Sequence, residues 1–91
     1  MRFEWDARKR ETNLVKHSLN FIDAAKLFCE PYLVIPDQRC DDYEMRWIAY
    51  GLIRGRVCVW VYTERAGVVQ IISLRKGIQR KQTFYQTHRP S

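Results

Sequence analysis

Arg56-Val-Cys-Val-Trp-Val-Tyr-Thr-Glu-Arg65 is the stretch from which the fold can be read. Alternation sets Val57, Val59, Val61 and Thr63 on one side and Cys58, Trp60, Tyr62 and Glu64 on the other. From Val57 to Tyr62 both sides are largely apolar, β-branched or aromatic, so this strand needs cover on both faces and belongs inside a sheet. Past Tyr62 the pattern turns polar through Thr63, Glu64 and Arg65, where side chains can leave the core and meet a ligand.

Outward from that strand, Arg54-Gly55 reads as a hairpin turn to a strand over Tyr43–Ile53, and Ala66-Gly67 as another to a strand over Val68–Leu74. Tyr32–Ile35 is a further short strand ended by Pro36, and Arg2–Trp5 alternates polar and aromatic residues as a strand would. Asp6 suits the N-cap of a polar helix from Ala7 to about His17, anchored by Leu14 and Val15. Asn20 caps a second helix with Phe21, Ala24, Ala25 and Phe28 on one face, Leu19 stapled against Ala24, and Pro31 as its stop. A last helix is expected from about Arg75, with Leu74, Ile78 and Tyr85 in line, although Gly77 costs about 1 kcal/mol there against alanine. The sum is an α+β fold: a short antiparallel sheet with two N-terminal helices and one C-terminal helix. The 91 residues are read as a single domain, 1–91, with no internal repeat.

Composition narrows the function classes. A chain that is 46% hydrophobic and 29% charged is neither disordered nor membrane-spanning, and no apolar run approaches the roughly 20 residues a bilayer helix needs. Three scattered cysteines, Cys29, Cys40 and Cys58, argue against a disulfide framework. With no apolar signal in Met-Arg-Phe-Glu-Trp-Asp, the chain is expected to be cytoplasmic with reduced thiols. The net charge of +6 is unevenly placed. Residues 1–64 balance ten basic against ten acidic side chains, while residues 65–91 carry Arg65, Arg75, Lys76, Arg80, Lys81 and Arg89 and no acid. A one-signed segment of that kind suits a polyanion or an acidic protein partner, or else a solvated basic tail.

Ser73-Leu74-Arg75-Lys76 is expected where the last strand hands over to the last helix, a place where free N–H groups and the helix dipole favour phosphate. Arg75 offers a bidentate fork and Lys76 a point charge, with Arg80 one turn on. Arg65 would converge on Arg75 across the hairpin or pair with Glu64. The acids Asp37, Asp41, Asp42 and Glu44 form the one acidic cluster. Scattered histidines and cysteines give no metal site, and neither a cofactor nor a nucleophile triad is indicated. Arg, Lys, His, Glu and Tyr remain, a set suited to RNA cleavage, where the substrate's own 2′-OH attacks and the protein supplies acid, base and cations.

Several segments, in order and spacing, resemble one family: Phe-Glu-Trp-Asp at 3–6, Asn13-x-x-Lys16-His17, Phe21 with Ala24 and Phe28, Arg46-Trp47, Val61-Tyr62-Thr63-Glu64-Arg65, and Ile71-Ile72-Ser73-x-Arg75-Lys76. They are similar to the BrnT ribonuclease toxins of bacterial type II toxin–antitoxin systems. The resemblance runs from Phe3 to about Tyr85. It implies a RelE-like fold, metal-independent RNA cleavage that inhibits growth, and a BrnA-like antitoxin that forms a hetero-oligomer with the toxin and alone touches DNA. On that basis Arg65 and Arg75 clamp the scissile phosphate and Lys76 neutralises developing charge, with His17 or Glu64 as base. Lys16, Arg80, Lys81 and Tyr85 contact RNA. The chain departs from the family where it has Ser18 for Gly, Gln70 for Arg, Gly77 for Ala and Lys81 for Glu. These departures raise an alternative: a weakened or inactive binding module that acts through an antitoxin complex.

Overall fold

A computed structural model describes residues 2–39 and 44–89. In chain order the elements are β1 (Arg2–Trp5), α1 (Ala7–His17), α2 (Phe21–Leu27), β2 (Leu33–Pro36), β3 (Trp47–Ile53), β4 (Arg56–Arg65), β5 (Val68–Lys76) and α3 (Gln79–His88). The five strands form one sheet in the order β1-β5-β4-β3-β2, antiparallel except where β1 runs parallel to β5. The stretch Arg56–Arg65 is thus the middle strand, covered on both sides as its composition requires.

On one face, Cys58, Trp60 and Tyr62 of β4 join Val69, Ile71 and Leu74 of β5 beneath Leu19, Phe21, Ala24 and Leu27. Phe28 sits at the centre of a ring cluster, with centroids 4.9 Å from Tyr62, 5.0 Å from Tyr32 and 5.9 Å from Trp60. Trp60 is wholly buried because β3 has no side chain at Gly51: a Cβ there would lie 3.0 Å from the indole ring. Its indole N–H has no hydrogen-bond partner. On the opposite face Val57 and Val59 pack with Tyr50 and, from α3, Tyr85 and Phe84.

The helix caps follow from the residues expected to make them. Asp6 accepts from the Arg8 and Lys9 backbone N–H groups at 2.8 and 3.1 Å, and Asn20 from that of Ile22 at 3.1 Å. Those two donors, led by Lys9, hold the Asp6 carboxyl below its usual range. Both hairpins also form where expected, with positive φ at Arg54 and Gly55 and at Ala66 and Gly67.

Four expectations need correction. Leu14 and Val15 do not anchor α1; both are exposed, and the buried residue is Asn13. The strand expected from Tyr43 begins at Trp47 within the described residues, and Arg46 precedes it, its carbonyl accepting from the Asp37 N–H at 2.8 Å. The last strand does not give way to a helix at Arg75. Pairing with β4 carries β5 through Lys76 opposite Cys58, and the Gly77 N–H extends it with a bond to the Val57 carbonyl at 2.9 Å. Leu74 therefore lies in the sheet core, Ile78 is exposed at the N-cap of α3, and the two share no helical face with Tyr85.

Candidate functional site

The site begins with an irregularity in β5. Tyr62 pairs with Ile71 and Val61 with Ser73, so Ile72 is an extra residue. Strict alternation would point Ser73 and Arg75 to the same side as Ile71, into the α1–α2 core. One inserted residue reverses the facing of everything after it. Leu74 takes the core position, and Ser73 and Arg75 emerge on the α3 face opposite Val61 and Val59.

There they line an open cleft of about 170 Å³ with Arg39, Ile48, Val59, Val61 and Lys81. Its floor is apolar and its walls are three cations and a hydroxyl. Lys81 reaches in from the first turn of α3, its Nζ 3.4 Å from the Tyr50 hydroxyl and 5.7 Å from that ring's centroid. Tyr50 pairs with Val59, and Val59 with Arg75, so phenol, floor and guanidinium form one row across the sheet. Arg39 is engaged by Asp37, with its Nε 3.0 Å and Nη2 3.3 Å from the carboxylate oxygens. That side-chain bond, more than any other contact, holds the Asp37 carboxyl below its usual range. Arg75 and Lys81 form no ion pair among the described residues. In a cleft with an apolar floor, such cations and the Ser73 hydroxyl are donors suited to the non-bridging oxygens of a phosphate.

The remaining sequence-derived candidates do not gather here. Arg65 shares the face of Arg75 but lies six residues along β4 from Val59, the partner of Arg75, or roughly 20 Å. It lines a separate recess of about 200 Å³ with Glu4, Thr63, Ala66, Val68 and Gln70. Its Nη2 lies 2.7 Å from a Glu44 carboxylate oxygen, so its partner is Glu44 and not Glu64. The expected convergence of Arg65 and Arg75 on one phosphate is therefore corrected: they stand at opposite ends of the hairpin.

Glu64 and Lys76 fall on the α1–α2 side, opposite Val69 and Cys58. Lys16 and His17 end α1 on that side too. Lys76, being in β5, has no helical neighbour in Arg80, which is exposed in the first turn of α3. Tyr85 is buried under α3 and is not free to stack on a base. Of the acidic cluster, Asp37 and Glu44 hold Arg39 and Arg65, while Asp41 and Asp42 lie outside the described residues. Sequence reasoning placed Ser73 at a phosphate-favouring junction without assigning it a role, and missed Arg39 in the cleft wall and Tyr50, whose hydroxyl meets Lys81. Adjacent Ile71 and Ile72 followed by Leu74 break period-two alternation, and that was the available signal for the bulge.

A family model described as the ribonuclease toxin BrnT of type II toxin–antitoxin systems matches residues 5–81. The chain belongs to the BrnT family. Among solved structures, the Brucella abortus ribonuclease toxin BrnT superimposes with a TM-score of 0.71 at 28% sequence identity, over 87% of this chain and 99% of that one. A comparison with curated proteins finds no match. The α+β architecture expected from sequence is accordingly that of a BrnT toxin, with its sheet mostly antiparallel. Among the described residues no helix is long and apolar enough to cross a membrane.

Proposed function

We propose that this BrnT-family chain cleaves RNA in the cleft of Ser73, Arg75 and Lys81, and that an acidic segment of a cognate antitoxin silences it by covering the same face. The observation that carries this reading is the pairing of Arg75 with Lys81 on an apolar floor, with neither bound to a carboxylate among the described residues. In the proposed reaction the substrate's 2′-OH attacks the adjacent phosphorus and the 5′-oxygen leaves. Arg75, Lys81 and the Ser73 hydroxyl stabilise the charge that builds on the non-bridging oxygens. A cluster of cations attracts the phosphate and repels a divalent metal ion, so the cleavage proposed is metal-independent. No imidazole or uncommitted carboxylate of the described residues lines the cleft. The 2′-OH proton therefore passes to solvent and solvent protonates the departing 5′-oxygen, so turnover lacks the roughly 10²–10⁴-fold contribution of a positioned base.

The test is expression of the chain alone, followed by incubation of purified protein with structured RNA in chelator. Growth arrest and products ending in 2′,3′-cyclic phosphate are the expected results. Arg75→Ala should reduce cleavage at least about a hundredfold, the scale of one lost transition-state donor. Arg65→Ala should cost far less, because Arg65 lies in another recess.

That no described residue of the cleft is a positioned base also favours a second reading, the binding module that retains RNA or antitoxin without cleaving. Intact RNA in the same assay, together with a stable antitoxin complex, selects it. In either case contact with DNA belongs to the antitoxin.

A further inference from the structure

His88, the last residue of α3, is part of a stack of rings. Lys81, Phe84 and His88 are spaced i, i+3 and i+7 on α3, so they share one stripe of the helix. Phe84 lies with its ring centroid 5.0 Å from that of Tyr50 and 4.5 Å from that of His88, tilted only 30° from the latter. His88 Nδ1 donates to the Phe84 carbonyl at 3.0 Å, which fixes the imidazole over the phenyl ring. The stack runs from a buried ring, Tyr50, through a half-buried one, Phe84, to an exposed one, His88. At its inner end Tyr50 touches Lys81, which lines the cation cleft. The helix rises roughly 10 Å over the seven residues from Lys81 to His88, a span that one nucleotide or two can bridge.

We propose that the exposed ring of His88 is a nucleobase-stacking site for single-stranded RNA whose phosphate lies between Arg75 and Lys81. Aromatic faces beside a cationic groove are the general means of holding single strands without reading their sequence. The duplex form of RNA keeps its base faces inside the helix, so a stacking ring selects unpaired nucleotides. This proposal rests on the cleft binding phosphate, and it adds where the adjoining base goes. The competing role for His88 is a C-terminal helix cap, made through Nδ1 and the favourable helix dipole.

The test uses the full chain with a fluorescent 2′-O-methyl RNA octamer, which lacks the attacking hydroxyl, and an abasic octamer of the same backbone. Affinities are measured for wild type, His88→Gln, His88→Tyr and Arg75→Ala. The expected result is that His88→Gln weakens binding of the base-bearing strand about tenfold and leaves the abasic strand unchanged. His88→Tyr, which keeps a ring and loses the imidazole, should restore binding of the base-bearing strand. Equal losses on both strands, an unrescued loss in His88→Tyr, or no loss in His88→Gln would each overturn the stacking site. Arg75→Ala should weaken both strands together. If it binds the abasic strand as tightly as wild type, or wild type binds neither strand, the cleft reading fails first and takes the platform with it.

Discussion

Asn13 is the side chain that most clearly departs from what its neighbours in sequence suggest. It follows a run of charged residues and precedes two apolar ones, yet it is the buried member of α1. Its Nδ2 donates to the Leu19 carbonyl at 3.2 Å and its Oδ1 accepts from the Leu74 N–H at 3.4 Å. Parallel pairing with β1 reaches only to Ile71, and the Asn13 amide takes up the strand edge just beyond it. Asn13 thereby ties the turn after α1 to the strand that carries Ser73 and Arg75. Asn13→Ala should lower stability by about 1–3 kcal/mol, since two buried backbone groups lose their partner. Urea unfolding would measure it, and a loss under about 0.5 kcal/mol would show that water replaces the amide. Lys81 faces Tyr50 and the Arg75 cleft and supplies its third cation, so Lys81→Glu would put a carboxylate in the wall where the cleft now has a positive charge.

At the scale of elements, the two hairpin turns were legible, while the far ends of the strands they join were not. Arg54-Gly55 and Ala66-Gly67 each need positive φ at both turn positions, and Gly supplies the second without strain. Ala66, at φ 52, adopts the left-handed region at a cost of about 1 kcal/mol that asparagine tolerates better. Ala66→Asn should therefore raise stability by about 0.5–1 kcal/mol, read as a higher urea midpoint at unchanged slope. A fall in the midpoint would mean that the Ala66 methyl makes packing contacts worth more than the strain. The junction after β5 was not legible. Ser73–Lys76 carries residues as compatible with a helix start as with a strand end, and local propensity does not separate the two. Ten residues of β4 offered unpaired backbone, and closing that ladder as far as Cys58 outweighed an earlier helix start. Leu14 and Val15 failed as anchors for a related reason. Helical spacing gives the angle between side chains, and only the docked sheet decides which angle faces inward.

For the molecule as a whole, charge links stability to function. Asp37 keeps Arg39 in place at the cleft, and that bond holds its carboxyl below the ordinary value of about 4. A depressed folded-state pKa gives stability that is fully present above the unfolded value and is lost as pH falls through the folded one. The urea midpoint of wild type should thus decline below about pH 4, and Asp37→Asn should be less stable at pH 6 with a shallower acid decline. Parallel curves for the two proteins would exclude the linkage. Tyr62 acts at the other extreme: burial, with a further contribution from its bond to Tyr32, pushes its phenol well above the usual range. Stability contributed there is lost as pH rises past about 10, where the unfolded chain ionises first.

What the sequence determined by itself was the central strand, the N-caps of the first two helices, the hairpin turns, the mixed α+β class and the family, because each depends on neighbours within a few positions or on residue order. Tertiary structure alone decided which cations meet. Arg65 and Arg75 share a face yet stand at opposite ends of a hairpin, whereas Lys81, on a separate helix, lines the cleft with Arg75. A single inserted residue at Ile72 turned Arg75 from the core side to the cleft side, and whether a strand bulges is settled by its partner's pairing rather than by its own composition.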